Sequence, residues 1–228
     1  MDIMKAIISI VATVALFMTM QALYRRYEKP YLLPMLTTTI ILIVVLLAAD
    51  ISYDSYMEGG QWIQQLLGPA VVALAIPLYN QRALIRRYKV AIVSSIVMAS
   101  LAGLFSVWIL LKLFQLQDTY ILTALPKALT SPVAMGVSEQ LGGIAPLTVV
   151  LVMVAGFTGA LLGPWVFKVA RIDSAISRGV AMGSASHGIG LTALKEYGEA
   201  DLSVGSLSMG LSAVIGAFIC PLFALIFM

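Results

Sequence analysis

The chain has 228 residues, 61% of them apolar and only 11% charged, with a mean hydropathy of +0.99 and a formal net charge of +3. Soluble domains carry about 25% charged residues, so this composition excludes a water-soluble enzyme or binding module and indicates an all-α integral membrane protein. Its Lys and Arg residues form short clusters at the ends of apolar runs, without the interleaved aromatics of a nucleic-acid surface, and no nucleic-acid partner is expected.

Five apolar runs, at 3–23, 32–49, 90–111, 144–167 and 204–228, approach the ~20 residues that a helix needs to cross a bilayer. The first is long and lacks a small-residue cleavage site, so it reads as a retained helix rather than a signal peptide. The basic segment "YRRYEKP" (24–30) then belongs in the cytoplasm, which puts the N-terminus outside. The second run leads outward to a segment with Asp50, Asp54 and Glu58 and no Lys or Arg before Arg82, as an outer loop permits. Next comes "WIQQLLGPAVVALAIPLY" (62–79), short and interrupted by Gly68, Pro69 and Pro77. It must cross, because "RALIRRYK" (82–89) is the most basic loop and requires the cytoplasm. Pro69 and Pro77 mark either a further discontinuous helix at a site or a kink.

The run 90–111 leads outward again, and the chain must return to the basic turn "KVARIDSAISR" (168–178) by an odd number of crossings. Two segments lie between: 121–138, "ILTALPKALTSPVAMGVS", and the helix 144–167. The first is therefore predicted to enter and leave on the same face as a re-entrant hairpin. Pro126 and Pro132 prevent a continuous helix, and Lys127 is costly at the bilayer centre.

An internal similarity suggests a second such hairpin. The tetrapeptide VAMG occurs at 133–136 and 180–183, an offset of 47 (180 minus 133), and "GALLGP" (159–164) matches "GAFICP" (216–221) at an offset of 57 (216 minus 159). Candidate repeat units at 121–168 and 174–228 each read as a broken hairpin followed by a long helix, within a single transmembrane domain of 1–228. The expected architecture is about six transmembrane helices plus two broken or re-entrant hairpins, arranged as the inverted repeats common in secondary transporters. The loop "KEYGEAD" (195–201) has one base and three acids, which opposes a cytoplasmic mouth for the second hairpin; 174–195 is either a hairpin or a broken crossing helix.

The second candidate unit also holds "GSASHGIGLT" (183–192), with the only histidine of the chain. A half-helix N-terminus offers unpaired N–H groups and partial positive charge, so broken helices bind small anions. Thr130, Ser131 and Pro132 are candidates to open one half-helix; Gly183, Ser184, Ser186, Gly188 and Gly190 are candidates for close backbone approach and hydroxyls in the other. His187 either binds a carboxylate or carries a proton, or it hydrogen-bonds a neighbouring helix. Lys127 either attracts the anion or snorkels to the interface. Glu139 reads as a solvated loop charge, and Gly156, Gly159, Gly210 and Gly216 as packing glycines outside the site. Cys220 lies in an apolar run and reads as packing; with one cysteine, one histidine and no ligand cluster, neither a disulfide nor a metal or cofactor site is expected. Adjacent serine and histidine in "SASH" do not face each other on a helix, and no Gly-x-Ser-x-Gly surrounds them, so an enzyme is not expected.

"LGPAVVALAIPLY" (67–79), "LPKALTSPVA" (125–134), "LGG" (141–143) and "AMGSASHGIGLT" (181–192) together resemble the LrgB/CidB family of bacterial membrane proteins, over almost the whole chain. The matching motif of the family reads HGIGT or HAIGT, whereas here Leu191 precedes Thr192. Thr192 joins the candidate site through this resemblance. The resemblance implies a place in the bacterial cell membrane and one of two roles. One is holin-like or antiholin-like control of murein hydrolases and autolysis; the other is transport of small monocarboxylates such as pyruvate, lactate, glycolate or glycerate. It also implies a smaller LrgA/CidA-type membrane subunit, and the plastid glycolate/glycerate translocator resembles a fusion of the two modules. A homo-oligomer is a further expectation. An oligomeric pore needs only simple helices, while paired broken hairpins suit a gated, solute-sized site, so transport is the favoured expectation.

Overall fold

The computed structural model describes residues 3–27, 32–73, 75–80 and 82–228. The described residues form helices and connecting turns without a strand, and they divide into two compact units, Met1–Ala70 and Val71–Met228.

The first unit contains α1 (Ile3–Tyr27), α2 (Pro34–Ala48) and α3 (Tyr53–Gln65). Pro34 opens α2 where a missing N–H has no helical partner to lose, and the Ser52 hydroxyl caps α3 by accepting from the Ser55 amide at 3.3 Å. Helix α3 packs on α1 because Gly59 lets its backbone reach the Ala6 carbonyl, and the Thr13 and Tyr56 hydroxyls meet at 3.0 Å. Of the basic segment 24–30, residues 28–30 lie outside the described residues.

The crossing expected at 62–79 is not one helix. Residues 62–65 end α3, the chain turns at Leu66, and α4 (Leu67–Ala73), within which the two units divide, and α5 (Ala75–Asn80) follow, with residue 74 outside the described residues. Pro69 sits in the first turn of α4, where proline is tolerated. Among the described residues, four helices are long and apolar enough to cross, at Met4–Tyr27, Arg86–Leu113, Ala145–Val169 and Glu199–Phe227, as an all-α membrane protein requires. Helix α2, with 15 residues, rises only about 22 Å against ~30 Å of hydrocarbon.

The second unit runs α6 (Arg82–Leu113), α7 (Asp118–Ala124), a 3-10 turn (Leu125–Ala128), α8 (Ser131–Gln140), α9 (Ala145–Val169), α10 (Ala175–Ala185), α11 (His187–Leu194) and α12 (Glu199–Phe227). The backbone leaves helical geometry at Leu129 (φ −90°, ψ 167°) and Thr130 (φ −64°, ψ 143°), and α8 then runs back beside α7. The return is fixed by Thr148 at the start of α9, whose hydroxyl lies 2.9 Å from the Thr123 carbonyl oxygen and 2.7 Å from the Ser138 hydroxyl. Thr123 and Ser138 belong to opposite arms and stand side by side at the mouth, so the segment is a re-entrant hairpin.

The second hairpin forms in the same way at the other end of α9. Helix α10 runs parallel to the first half of α12: Arg178 pairs with Asp201, Gly179 packs on Val204, and Gly183 packs on Gly205 and Ser208. Helix α11 then returns, with Leu191 and Leu194 against Gly205. Residues 174–195 therefore re-enter rather than cross. The acidic loop that opposed this reading loses one of its acids, since Asp201 is buried and ion-paired.

Both hairpins lean on α9 from opposite directions. The mouth of the first lies at Thr148, while the arms of the second share a core cluster with Phe167, near the far end of that helix. Leu104 and Val107 of α6 pack with the first hairpin, and Ile92 and Ile96 of the same helix pack against α10 and α12. One spacing relates the two hairpin-and-helix segments. Asp118 and Ala175 begin the inbound arms, Thr130 and His187 stand at the breaks, Gly159 and Gly216 sit in the long helices, and Pro164 and Pro221 follow; each pair is 57 positions apart (175 minus 118). The VAMG match does not share this spacing, because 133–136 lie on the returning arm of one hairpin and 180–183 on the inbound arm of the other.

Candidate functional site

The two hairpin tips are built by different means. In the first, Pro132 at the second position of α8 has no N–H to bond the carbonyl four residues back and its ring crowds that carbonyl, so no helix continues from the 3-10 turn into α8, and the backbone is extended at Leu129 and Thr130. The Thr130 hydroxyl caps nothing; its oxygen is buried without a hydrogen-bond partner. Just before it, Lys127 projects from the 3-10 turn, half-buried, with no ion pair or hydrogen bond among the described residues. A buried, unpaired ammonium is expensive.

In the second tip no proline acts. The helix breaks because Ser186 leaves helical geometry (φ −129°, ψ 5°) and His187 takes a positive φ of 40°, a left-handed value that histidine adopts more readily than most residues. Buried at 4% exposure, His187 places Nε2 2.9 Å from the Val152 carbonyl oxygen of α9, so this nitrogen carries the proton and donates it. That contact realises the helix-bridging role for one ring nitrogen; Nδ1 remains an acceptor when the ring is neutral.

Small residues in the long helices seat these tips. A Cβ on Gly156 would come 2.8 Å from the His187 ring, and one on Gly159 would collide with the Ser186 side chain. Gly216 of α12 likewise receives Leu129 of the first tip. Gly156, Gly159 and Gly216 read as ordinary packing glycines in the sequence, yet what they pack against is the two breaks.

Two cavities meet at the tips. One, of about 510 Å³, lies along α9 and includes Lys127, Gly159, Gly163, Met182, Ala185 and Ser186 in its lining. The other, of about 20 Å³, includes Lys127, Leu125, Leu129, Ser184, Gly216 and Cys220. Lys127 lines both. Ser186 thus joins Lys127 in the larger cavity and Ser184 joins it in the smaller, although the Ser184 hydroxyl already donates to the Val180 carbonyl at 2.6 Å.

The remaining predicted site residues are not among those that line the two cavities. Ser131 and Pro132 are half-buried at the start of α8. The space beside Gly183 is taken by the Gly205 carbonyl and that beside Gly190 by Ser186, so their close approach serves helix packing. Gly188 is exposed, with the Met209 sulfur as its neighbour. The Thr192 hydroxyl turns back onto the Ile189 carbonyl at 2.7 Å. Pro69 is exposed and belongs to the first unit, and the side chain of Pro77 lies outside the described residues. Glu139 is exposed as expected, but it lies in the last turn of α8 and not in a loop. Two features escaped sequence reasoning altogether: the Thr123–Ser138–Thr148 hydroxyl cluster and the Arg178–Asp201 pair, each joining residues too far apart for any local pattern to connect.

The LrgB-like family model matches residues 13–226. The chain belongs to the LrgB family. It is 45% identical over 222 residues to YxaC, an uncharacterized protein of Bacillus subtilis (strain 168), covering 97% of this chain and 96% of that one. Holin-like protein CidB of Staphylococcus epidermidis is 33% identical over 226 residues, and CidB of Staphylococcus aureus (strain N315) 34% identical over the same length, with 99% of each chain covered. No solved structure matches the chain. An all-α LrgB-family membrane protein thus carries, where two re-entrant hairpins meet, a lysine with no ion pair or hydrogen bond among the described residues.

Proposed function

We propose that this LrgB-family protein moves small monocarboxylates, of the pyruvate, lactate, glycolate or glycerate class, through the junction of its two hairpin tips. The observation that carries the reading is Lys127: half-buried, unpaired, and lining both cavities at the meeting of two helix breaks. A monocarboxylate has one negative charge to offset that ammonium and oxygen acceptors for the hydroxyls of Thr130 and Ser186. The cavity of about 510 Å³ lies within the ~300–1,000 Å³ of small-molecule sites. Binding is assigned to Lys127, Thr130, Ser184, Ser186 and His187, with Ser131, Pro132, Gly183, Gly188, Gly190 and Thr192 shaping the broken helices. The segments 121–168 and 174–228 act as the two inverted halves. Pro69 and Pro77 are candidates for a further broken-helix site.

The relatives named holin-like support a second reading, in which the chain forms or modulates a pore that affects murein hydrolase activity and autolysis. Under either reading the bilayer of a bacterial cell is its setting, with the N-terminus outside, a smaller LrgA/CidA-type subunit beside it and a homo-oligomeric assembly. Uptake of radiolabelled pyruvate into proteoliposomes separates the two, tested with and without an LrgA-type subunit. Saturable uptake that falls at least tenfold in Lys127→Gln is the expected result; unsaturable flux with release of an entrapped neutral dye overturns transport in favour of the pore.

A further inference from the structure

The two cavities at the hairpin tips are counterparts under the 57-position spacing. Met182, Ala185 and Ser186 of the second hairpin and Gly159 and Gly163 of α9 help line the larger cavity. Leu125, Ala128 and Leu129 of the first hairpin and Gly216 and Cys220 of α12 help line the smaller. Each residue of one set stands 57 positions from its counterpart in the other (216 minus 159, 186 minus 129). Even the visiting residues correspond, Lys127 in the larger cavity and Ser184 in the smaller. Equivalent grooves between a hairpin and the long helix of the other half have reached very different volumes, about 510 Å³ and about 20 Å³.

The tip residues account for the difference. At the second tip the small Ser186 rests on Gly159 and Met182 covers Gly163, and the cavity of about 510 Å³ lies beside them along α9. At the first tip the counterpart is Leu129, buried at 6% exposure and pressed onto Gly216 so closely that any Cβ there would overlap its side chain. What remains is room for about one water molecule. We propose that the two cavities are the two halves of one gated path, and that Leu129 seated on Gly216 is the gate that closes the half leading to the face where α9 begins. The proposal deepens the transport reading and rests on it: a solute that enters along α9 leaves only when Leu129 quits its glycine seat.

Cys220, the only cysteine, lies in the closed half and reports on the gate without substitution. A membrane-impermeant, charged methanethiosulfonate reagent is added to either side of sealed vesicles of known orientation. Wild-type Cys220 is expected to be unreactive from both sides. Gly163→Cys in a Cys220→Ala background, its counterpart in the open half, reacts from the face where α9 ends. Gly216→Ala, which expels Leu129, makes Cys220 react at least tenfold faster, and from the opposite face. Leu129→Ala does the same by removing the plug, and serves should Gly216→Ala fail to fold. The gate is overturned if Cys220 stays unreactive in both variants, if it reacts from the same face as position 163, or if wild-type Cys220 is as reactive as position 163. Because labelling needs no substrate, a failure of the gate is distinguishable from a failure of pyruvate uptake.

Discussion

The two re-entrant hairpins share a spacing and an outline but are fastened by opposite chemistries. The mouth of the first is closed by neutral groups: the Thr148 hydroxyl bridges the Thr123 carbonyl and the Ser138 hydroxyl, while the Ile144 amide donates to the Thr123 hydroxyl at 2.8 Å. The mouth of the second is closed by an ion pair, in which Arg178 Nε donates to Asp201 at 2.7 Å and the guanidinium also reaches the Asp173 carbonyl oxygen at 2.7 Å. Neutral hydroxyl clusters cost little to bury and hold geometry through many short contacts. A buried ion pair is costly to form and costly to break. The same scaffold has thus been given one fastening that fails gradually and one that fails abruptly.

The sharpest way to break this comparison is Arg178→Ala. It leaves Asp201, 2% exposed, without its counter-charge; because Arg178 is itself only part-buried, the cost falls toward the low end of the about 3–5 kcal/mol for removing one partner of a buried pair. A large loss of thermal stability in detergent is expected, together with new proteolysis in the loop before α12. The double substitution Arg178→Met with Asp201→Leu should recover most of that loss, since the orphaned charge is gone. Equal losses in the single and double variants would mean that the pair matters through packing alone.

Thr148→Val tests the neutral mouth and should cost less, about 1–3 kcal/mol, because it leaves the fully buried Ser138 hydroxyl unpaired without stranding a charge. Its effect should be insensitive to salt, as should that of the wild-type cluster. If Thr148→Val proved as damaging as Arg178→Ala, the distinction between the two fastenings would collapse.

How much of this was legible beforehand follows the same division. The first hairpin announces itself, because Pro126 and Pro132 flank Lys127 and the count of basic loops forbids a second crossing. The second does not. Its break depends on Ser186 and on a positive φ at His187, which no proline marks, and its charged mouth depends on a partner 23 residues away. The acid-rich loop was misleading for that reason: a sequence counts Asp201 as a surface charge, while tertiary packing buries it against Arg178. The VAMG repeat misled differently, since four common residues recurred on opposite arms while the true spacing left few identities to see. The crossing at 62–79 was argued from loop charge, which constrains where the chain must go but not that one helix takes it there. Of the site, Lys127 and the hydroxyl-rich second tip were visible as chemistry out of place in a greasy chain; the glycine seats were visible as residues but not as seats, because what they receive comes from distant segments.

Effects no larger than that of Thr148→Val are expected at the turns that lead each hairpin into its long helix, at Gly142 (φ 79°) and Gly198 (φ 117°, ψ 177°). Neither has an atom within 4 Å of where a Cβ would stand, so alanine at either site meets no obstacle and the cost is backbone alone. Gly142 lies toward the left-handed helical region, which costs an L-residue about 1–2 kcal/mol. Gly198 lies in a region that is essentially glycine-only, at about 1–3 kcal/mol. Gly198→Ala should therefore lower thermal stability more than Gly142→Ala. Asparagine, which tolerates the left-handed region, should rescue position 142 and not position 198. Rescue at both would place the two turns in the same backbone region in the membrane, and the difference between the hairpins would then lie in their mouths and tips alone.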